Sequence, residues 1–162
     1  MKLDLTILWD FRIIFGNEKY ELGVRKMIHK YSRRVFGYEC DIYGHLNNAN
    51  YLHLYEEARS VFLEDVDMPV RKLMEMNIAI YITKVNIEFI KGILLESKVE
   101  IRSWIISGNR LRGLWQQEMY VDKELCSRIT IEGVYAHEGK PRRLPKDVFA
   151  MFEKCMVKEG EK

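Results

Sequence analysis

Residues 40–62, which read CDIYGHLNNANYLHLYEEARSVF, contain the helix around which the rest of the fold can be predicted. Apolar residues recur there at the i, i+3, i+4, i+7 spacing of a helix, namely at Tyr51, Leu54, Tyr55, Ala58, Val61 and Phe62. The spacing predicts a helix from Asn48 to about Asp65. Leu52 and Leu63 lie beside this stripe and make it unusually wide. A helix that is apolar over most of its circumference is normally buried, so we expect this one inside the core.

The rest of the chain is dominated by the period-two alternation of strands. One strand is predicted before the helix, from about Ile28 to Cys40, and four long strands are predicted after it. The apolar faces of those four are expected to consist of Tyr81, Val85, Ile87 and Phe89; Val99, Ile101 and Ile105; Leu111, Trp115, Met119 and Val121; and Leu125, Ile129, Ile131 and Tyr135. Turn signals at residues 91–92, 107–109 and 122–123 separate the strands.

Two short helices complete the prediction, one from Pro69 to about Met76 and one from Lys146 to about Met156. The order of strand, helix and four long strands excludes a doubly wound parallel sheet, in which strands and helices alternate throughout. It predicts an α+β fold with an antiparallel sheet wrapped around one central helix. Because Met27 is a plausible translation start, we interpret residues 1–26 as an N-terminal extension and residues 27–162 as the folded domain.

Composition and charge exclude several classes of protein. A chain of 162 residues, 48% hydrophobic and 31% charged, is long enough for one domain with a substantial core. Its 26 basic and 24 acidic residues leave a net charge of +2, which is too balanced to indicate a nucleic-acid partner or an anionic membrane surface. No run approaches the ~18 apolar residues of a membrane span. We therefore predict neither a nucleic-acid nor a membrane partner.

The cysteines and the N-terminal segment indicate the compartment. Cys40, Cys126 and Cys155 are odd in number and show no C-x-x-C spacing, which favours free thiols in a reducing environment. The N-terminal segment carries Asp4 and Asp10 within its apolar part and lacks a small-residue cleavage site, unlike a signal peptide. A cytoplasmic location is expected.

Asp41 comes before a Gly- and Asn-rich turn that leads directly into the predicted helix. Asn47 or Asn48 suits the N-cap position, because a short amide oxygen can accept from N–H groups of the first turn. The remaining N–H groups and the helix dipole form a natural site for a developing oxyanion. Gly44 permits a tight bend and the close approach of a ligand. A carboxylate facing a carbonyl held in this way is a minimal acyl-transfer site, where it attacks the acyl carbon or deprotonates a water.

The same residues also have simpler structural interpretations. An Asp before a Gly/Asn turn more often forms an Asx-turn or a cap than a catalytic group, and spacing alone favours that role for Asp41. Tyr51 belongs to the core by its spacing. Glu56 and Arg59 occupy positions i and i+3 and can pair on a helix surface. If the helix is buried, however, their pairing would indicate a function.

Residues 41–59, DIYGHLNNANYLHLYEEAR, resemble the signature of the 4-hydroxybenzoyl-CoA thioesterase-like branch of the hotdog-fold acyl-CoA thioesterases. In that family an Asp is followed by a Gly-containing turn, an Asn-Tyr pair on the first helical turn and an acidic-x-Ala-Arg ending. These elements match Asp41, Gly44, Asn50 with Tyr51, and residues 56–59. The order of elements from about residue 28 to residue 137 matches the hotdog fold as well.

The resemblance implies an enzyme that hydrolyses an acyl-CoA thioester and needs no cofactor beyond the CoA of its substrate. Asp41 would be the catalytic nucleophile or general base, and the backbone N–H of Asn48 would help to form the oxyanion hole. Some relatives have His or Tyr in place of Asn48, a departure that need not abolish a backbone contribution. The residues expected to bind substrate are Gly44, His45, Asn47, Tyr51 and Glu56. Relatives pair their sheets edge to edge with active sites at the subunit interface, so a homodimer or homotetramer is implied.

Coenzyme A carries phosphates, and two basic segments could form the rim that binds them. The residues concerned are Arg110 and Arg112 in SGNRLRG, and Lys140, Arg142, Arg143 and Lys146 in GKPRRLPK. Asn109 and Arg110 are the first candidates, because the corresponding turn in related proteins contacts the pantetheine or the nucleotide. An ordinary solvated surface is the alternative for any one of these residues.

Other functions fit the sequence less well or remain open. The D-x-N-x-x-H pattern of hotdog hydratases is missing after Asp41, and no G-x-S-x-G elbow, P-loop or dinucleotide fingerprint occurs. The histidines show no metal-ligand spacing, so no metal is predicted. A thioesterase acting on an acyl-carrier protein and a non-catalytic acyl-CoA-binding protein remain alternatives.

Overall fold

The computed structural model describes residues 28–157. In chain order its elements are β1 (His29–Arg34), a 3₁₀ turn (Gly37–Glu39), α1 (Asn48–Asp65), α2 (Val70–Glu75), β2 (Ala79–Phe89), β3 (Lys98–Gly108), β4 (Arg112–Val121), β5 (Glu124–His137), β6 (Lys140–Pro141) and α3 (Lys146–Glu153). No helix in this part of the chain is long and apolar enough to cross a bilayer. The predicted extension, residues 1–26, lies outside the described residues.

The sheet is antiparallel throughout and has the strand order β1-β3-β4-β5-β2, with β6 paired to the end of β5. Helix α1 packs against it: the ring of Phe62 meets that of Trp115 edge to face at 4.8 Å, and Tyr51 meets Phe89 in the same way at 5.0 Å. Aromatic pairs in this geometry add to the stabilisation from burial. The predicted α+β architecture, with one helix held by an antiparallel sheet, is confirmed.

Helix α1 has the predicted limits, and Asn47 is its N-cap. The prediction that it is buried around most of its circumference is wrong in part. Leu63 is 6% exposed and belongs to the core, but Leu52 is 43% exposed and shares an open face with His53 and Glu56. Among residues 28–157 the helix is covered by its own sheet on one side only, so its other side can receive a ligand or a partner.

Two bulges shift the predicted faces of the strands. A register shift between Ile82 and Lys84 leaves Tyr81 opposite Val134, whereas Val85 lies opposite Ile131. Directly paired residues share a face of the sheet, and residues 131 and 134 point to opposite faces. Tyr81 therefore does not share a face with Val85, Ile87 and Phe89 as predicted.

A second shift moves the start of β5. Leu125 pairs with Tyr120, while Met119 pairs with Ser127, so Leu125 lies on the opposite face from Ile129 and Tyr135. The extra residue, Cys126, is buried at the bulge. Each bulge inserts one residue and reverses the alternation that follows it, which is why period-two reading failed at these two positions.

Three predicted boundaries also change. The first strand ends at Arg34 rather than near Cys40, because the chain turns at Val35, whose N–H donates to the carbonyl of Ser97, and enters the 3₁₀ turn. Leu111 precedes β4 instead of belonging to it. The last helix ends at Glu153.

Strand β2 forms one edge of the sheet, since β5 is its only strand partner among residues 28–157. It is 11 residues long and exposes several large apolar side chains, namely Tyr81, Ile82, Val85 and Phe89. A long apolar edge with unpaired backbone groups is a template for pairing with another strand.

Candidate functional site

The loop before α1 is a closed turn fixed by its own backbone. The N–H of Asp41 donates to the carbonyl of His45 at 2.8 Å, and the N–H of Gly44 donates to the carbonyl of Asp41 at 3.0 Å. Gly44 has φ = +76°, a conformation that residues with a Cβ adopt rarely. The N–H of Leu46 then donates to the carbonyl of Ile93 at 2.7 Å, which attaches the loop to the segment after β2.

Within residues 28–157 only one oxygen of the Asp41 carboxylate accepts hydrogen bonds. Its Oδ1 accepts from the N–H of Tyr43 at 2.9 Å and, less closely, from the N–H of His45 at 3.4 Å. This is the Asx-turn that was the structural alternative for Asp41. No donor among residues 28–157 reaches the other carboxylate oxygen. The turn therefore holds the carboxylate in place and leaves one oxygen for a ligand.

In the described part of the chain, one N–H group in the first turn of α1 has no hydrogen-bond partner. The Oδ1 of Asn47 accepts from the N–H of Ala49 at 3.0 Å, and the carbonyl of Asn47 accepts from the N–H of Asn50 at 2.9 Å. The N–H of Asn48 has no acceptor within residues 28–157. Since the helix dipole adds positive potential at this point, the Asn48 N–H is suited to hold an oxyanion.

The helix start is anchored to the chain just before Asp41. The carbonyl of Glu39 accepts from the N–H of Asn47 at 2.9 Å and from Nδ2 of Asn50 at 2.8 Å. Two hydrogen bonds to one carbonyl fix the position of Asp41 relative to the first turn of α1. Asn50 matched the family signature, but its role as an anchor could not be read from the sequence.

The side chain of Glu39 is itself held in place by hydrogen bonds. Its buried carboxylate accepts from Arg33 Nη2 and from the N–H of Phe36, both at 2.8 Å, and Arg33 Nη1 also donates to both oxygens of Glu57 on α1 at 2.8 and 3.0 Å. Burial acts to lower the pKa of Arg33, but the bonds to Glu57 and Glu39 raise it above its ordinary value. No sequence signal pointed to this network of Arg33, Glu39 and Glu57.

His45 lies against a glycine. A Cβ built on Gly92 would lie 2.7 Å from Cδ2 and 3.2 Å from Nε2 of the His45 ring, closer than side chains tolerate. The backbone of His45 also forms a bridge with Leu94. Gly92 is thus required for the position of His45, whereas the sequence indicated only a turn there.

Tyr51 lies beneath the site rather than in an open pocket. Its side chain is buried, and burial raises its pKa, with a backbone hydrogen bond to Ile93 opposing the rise. Through Phe89 and Ile93 it ties the first turn of α1 to the end of β2. Tyr51 therefore supports the loop and the helix start from within the core, as its spacing indicated.

Glu56 lies apart from the Asp41 loop, about 12 Å along the helix axis from Asn48. Its exposed carboxylate pairs with Arg59, and Arg59 Nη1 donates to Oε1 of the buried Gln117 at 2.8 Å. Gln117 in turn donates to Ser103 Oγ at 2.9 Å. Burial lowers the pKa of Arg59, and Glu56 opposes that shift. The ion pair between Glu56 and Arg59, which both the structural and the functional interpretation of Glu56 predicted, is present.

Glu56 and Arg59 stand at the side of an apolar cavity of about 290 Å³ between α1, α2 and β2. The apolar side chains around it include Leu63, Leu73, Met74, Ile80, Ile82 and Trp115. Ser60 lies on the helix wall of the cavity. This apolar cavity was not predicted, because it depends on how far α2 stands from β2.

Asn109 and Arg110 lie at the other end of the sheet. Asn109 Oδ1 accepts from the N–H of Leu111 at 2.8 Å and of Arg112 at 3.2 Å, so this side chain shapes the turn between β3 and β4. Arg110 lines a cavity beside Ile78, next to the first residue of β2. Tyr51 contacts Phe89 at the last residue of β2, and ten residue steps of strand span roughly 30 Å. One protomer therefore does not bring Arg110 to Asp41.

Within the described residues no group of three or more His, Cys, Asp or Glu side chains is placed to hold a metal ion. The groups gathered at the start of α1 are instead a carboxylate, a free backbone N–H, an imidazole and amide side chains. Such a set can polarise a carbonyl and activate a nucleophile, which is the chemistry of acyl transfer.

Comparison with known proteins identifies the family. The sequence profile of the Thioesterase-like superfamily matches residues 36–152. The chain is 33% identical over 91 residues to the long-chain acyl-CoA thioesterase FadM of Escherichia coli strain K12, covering 56% of this chain and 68% of FadM. It is 27% identical over 126 residues to the acyl-CoA thioester hydrolase YbgC of Escherichia coli O6:H1, covering 74% and 92%.

Comparison with solved structures agrees with the family found by sequence comparison. A probable thioesterase from Bartonella henselae superimposes with a TM-score of 0.69 at 25% identity, covering 73% of this chain and 99% of that one. Residues 36–152, which match the sequence profile, include the loop at Asp41, the whole of α1 and all four long strands. The hotdog fold and the thioester-hydrolase class expected from residues 41–59 are thus confirmed, and the chain belongs to the thioesterase-like superfamily.

Proposed function

We propose that the protein hydrolyses an acyl-CoA thioester to a free acid and CoA at the start of α1. The observation that carries this proposal is that two groups without a hydrogen-bond partner among residues 28–157 lie at the two ends of one loop: a carboxylate oxygen of Asp41 and the N–H of Asn48. FadM and YbgC, which act on acyl-CoA by their names, support CoA thioesters as the substrate class.

The roles follow from the groups available. The thioester oxygen would accept from the Asn48 N–H, where the developing negative charge is stabilised by the helix start. Asp41 would attack the acyl carbon, or deprotonate a water that attacks it, and the carbon–sulfur bond would then break to release the thiol of CoA. Gly44, His45 and Asn47 would line the thioester, with Tyr51 supporting them from below.

The acyl group would extend along α1 into the apolar cavity beside Glu56 and Ser60. That cavity begins about 12 Å from Asn48 along the helix, and an extended carbon chain, in which each bond of about 1.5 Å advances the chain by about 1.25 Å, covers this length in about ten carbons. A long aliphatic chain therefore fits better than a short or single-ring aromatic acyl group. FadM, a long-chain acyl-CoA thioesterase by name, is consistent with this choice.

The working unit would be a homodimer or homotetramer assembled through β2. This edge carries exposed Tyr81, Val85 and Phe89, and two copies related by a twofold axis can pair such edges antiparallel to make one continuous sheet. The open face of α1, with Leu52 and Glu56, lies beside the same edge, so a partner subunit would close the groove along the helix.

The test is hydrolysis of short aliphatic, long aliphatic and aromatic acyl-CoA thioesters, followed by thiol release, with wild type and Asp41→Asn compared. Turnover by wild type that falls about 100-fold or more in the variant supports the reaction and the role of Asp41. Turnover that survives the substitution moves the chemistry elsewhere, with Glu56 the next carboxylate to test. Binding of acyl-CoA without turnover favours a non-catalytic acyl-CoA-binding protein. Turnover of acyl-carrier-protein thioesters alone favours the carrier-protein thioesterase.

A further inference from the structure

A buried guanidinium group joins the chain just before Asp41 to the body of α1. Arg33, on β1, donates from Nη2 to the carboxylate of Glu39 at 2.8 Å and from Nη1 to both oxygens of Glu57 at 2.8 and 3.0 Å. The side chains of Arg33 and Glu39 are only 14% and 8% exposed. Because the planar fork of a guanidinium group fixes direction as well as distance, Arg33 holds these two carboxylates at a set separation. We call the three side chains the Arg33 network.

Neutral groups complete the hydrogen bonding of the network. The hydroxyl of Tyr31 donates to Oε2 of Glu57 at 3.0 Å. The N–H of Phe36 donates to Glu39 at 2.8 Å, and the guanidinium carbon of Arg33 lies 5.4 Å from the centre of the Phe36 ring, within the range of a cation–π contact. Each carboxylate therefore has a neutral donor in addition to Arg33, and polar networks satisfied in this way are rigid.

The backbone of Glu39 closes the loop that carries Asp41. Its carbonyl accepts from the N–H of Asn47 at 2.9 Å, and the N–H of Asp41 donates to the carbonyl of His45 at 2.8 Å. An antiparallel bridge lies between these two bonds, so the loop is a short hairpin that leads directly into α1 at Asn48. A displacement of Glu39 would therefore move Asp41 relative to the N–H of Asn48.

The network attaches this loop to α1 at a second point. Among residues 28–157, the other hydrogen bonds between the loop and α1 lie at the first turn of the helix and involve Asn47 and Asn50. Glu57 lies nine residues after Asn48, about 14 Å along the helix axis. Two attachments this far apart restrict the tilt of the loop as well as its distance from the helix.

The energetics favour a positioning role for the network over a stabilising one. Buried ion pairs often contribute little net stability, because the cost of removing the charges from water offsets their attraction. Glu57 is also 43% exposed, so solvent weakens its pairing with Arg33. Apolar side chains could fill the same volume, but they form no directional bonds. A defined geometry is what these charged groups add.

We propose that the Arg33 network positions the catalytic carboxylate, with Arg33 and Glu39 setting where Asp41 lies. Glu57 relates that position to α1 and hence to the N–H of Asn48. The inference rests on the proposed function. The network acts through Asp41 and does not touch the substrate, so it contributes to kcat and leaves KM to the residues that line the thioester.

The first experiment removes the buried charges of the network together. Arg33→Met alone would leave the Glu39 carboxylate buried without its ionic partner, a change that often unfolds a protein. In Arg33→Met/Glu39→Gln no such charge remains, and the glutamine oxygen can still accept from the N–H of Phe36. We expect a melting temperature close to that of wild type, KM within about twofold and kcat about tenfold or more lower, because a displacement of about 1 Å can cost about 100-fold in rate.

Two single substitutions accompany the double variant. Arg34→Met removes the neighbouring arginine of β1 and its exposed ion pair with Glu96, and as the matched control it should leave kcat unchanged. Arg33→Lys keeps a positive charge but loses the planar fork, so its kcat should lie between those of wild type and the double variant. Wild-type kcat in either folded network variant would overturn the inference, as would a loss of kcat that merely follows the melting temperature.

The second experiment removes the group that the network positions. Arg33→Met/Glu39→Gln is introduced into Asp41→Asn. If the network acts through Asp41, the combined variant loses no more than about twofold in kcat relative to Asp41→Asn, because residues that act as a unit are not additive. A further loss as large as that seen beside an intact Asp41 would overturn the inference.

A wild type that hydrolyses none of the thioesters contradicts the proposed function instead. The backbone ¹H and ¹⁵N shifts of Gly44 and Asn48 then decide the placement without turnover. They should change in Arg33→Met/Glu39→Gln and stay unchanged in Arg34→Met. Unchanged shifts in the double variant would show that the network does not position the loop, and would overturn the inference.

Discussion

The Asp41 carboxylate has a structural role and, in the proposed function, a catalytic one, and each role uses a different oxygen. One oxygen closes the turn by accepting from the N–H of Tyr43, and the other faces no donor in the described chain. The structural and catalytic interpretations of this residue are therefore compatible. The Asx-turn restricts the carboxylate to one orientation, and a group that is already oriented loses less entropy when it acts on a substrate.

Replacing Asp41 in two ways separates these roles. Asp41→Asn keeps an oxygen for the Tyr43 N–H, so we expect an unchanged melting temperature and a kcat reduced about 100-fold or more. Asp41→Ala loses the turn bond as well, and about 1 kcal/mol of unfolding free energy should be lost with the activity. Denaturant unfolding and thiol-release kinetics measure both. Equal stability of the two variants would show that the turn does not depend on the carboxylate.

Gly92 offers a second test at the scale of a single residue. A methyl group at this position would meet the His45 ring at 2.7 Å, so Gly92→Ala should displace the imidazole and lower kcat/KM several-fold. Gly37→Ala is the matched control, because the nearest atom to its Cβ is Leu95 Cδ1 at 3.9 Å, an ordinary contact. The ¹H and ¹⁵N shifts of His45 report the displacement. An unmoved His45 ring in Gly92→Ala would contradict the packing, and a moved ring with full activity would remove His45 from the site.

At the scale of elements, α1 is held at its start by Asn50 and Glu39. Asn50→Leu keeps a similar volume but loses the donor to the Glu39 carbonyl. Because that bond aligns the Asp41 loop with the first turn of α1, we expect kcat to fall about tenfold with KM little changed, alongside about 1 kcal/mol of stability. Glu64→Leu, at an exposed position near the other end of the same helix, is the control. A loss of stability without any change in kcat would make the bond merely structural.

The apolar cavity between α1, α2 and β2 makes a prediction about acyl length. Ser60→Phe would fill the helix wall of this cavity, so kcat/KM for acyl chains longer than about ten carbons should fall tenfold or more while short chains are unaffected, as expected for a blocked apolar pocket. His53→Phe, on the same helix but outside the cavity, should leave the length profile unchanged. A profile that Ser60→Phe does not alter would place the acyl group elsewhere.

How much of this could be predicted depends on whether the cause is local. Residues 48–65 form the predicted helix because the 3.6-residue period and the Asn47 cap are properties of that segment alone. Tyr81 and Leu125 were assigned to the wrong faces because each bulge arises from pairing with a neighbouring strand. The turn at Asp41 could be predicted from Gly44. The hydrogen bond from Asn50 to the carbonyl of Glu39 could not, because it depends on where the preceding strand ends.

At the scale of the whole molecule, contacts between residues far apart in the sequence could not be predicted. Arg110 and Arg143 belong to two segments that the sequence offered as candidates for a basic rim, but it did not show that the two segments meet; in the structure the hydrogen bond from Arg110 to the carbonyl of Leu144 joins them beside one cavity. Arg33 and Glu57 lie 24 residues apart and carry no motif that would link them. The proposed pairing of subunits is harder still to predict from sequence, since it depends on which edge of the folded sheet is left open.

The open edge leads to the last prediction, that assembly through β2 is required for activity. Tyr81→Lys/Val85→Lys places one charge on each face of the exposed edge strand, and lysines on an edge oppose pairing with a second strand. We expect the variant to elute as a monomer in light-scattering chromatography, to keep the circular dichroism of wild type and to lose most acyl-CoA hydrolysis, because no partner subunit would then close the groove along α1. Ile28→Lys, an equally exposed apolar position beside β1 at the opposite edge, is the control and should leave assembly and activity intact. A folded monomer with full activity would refute assembly through β2 as a requirement for activity, whereas an unchanged oligomer would move the interface away from this edge.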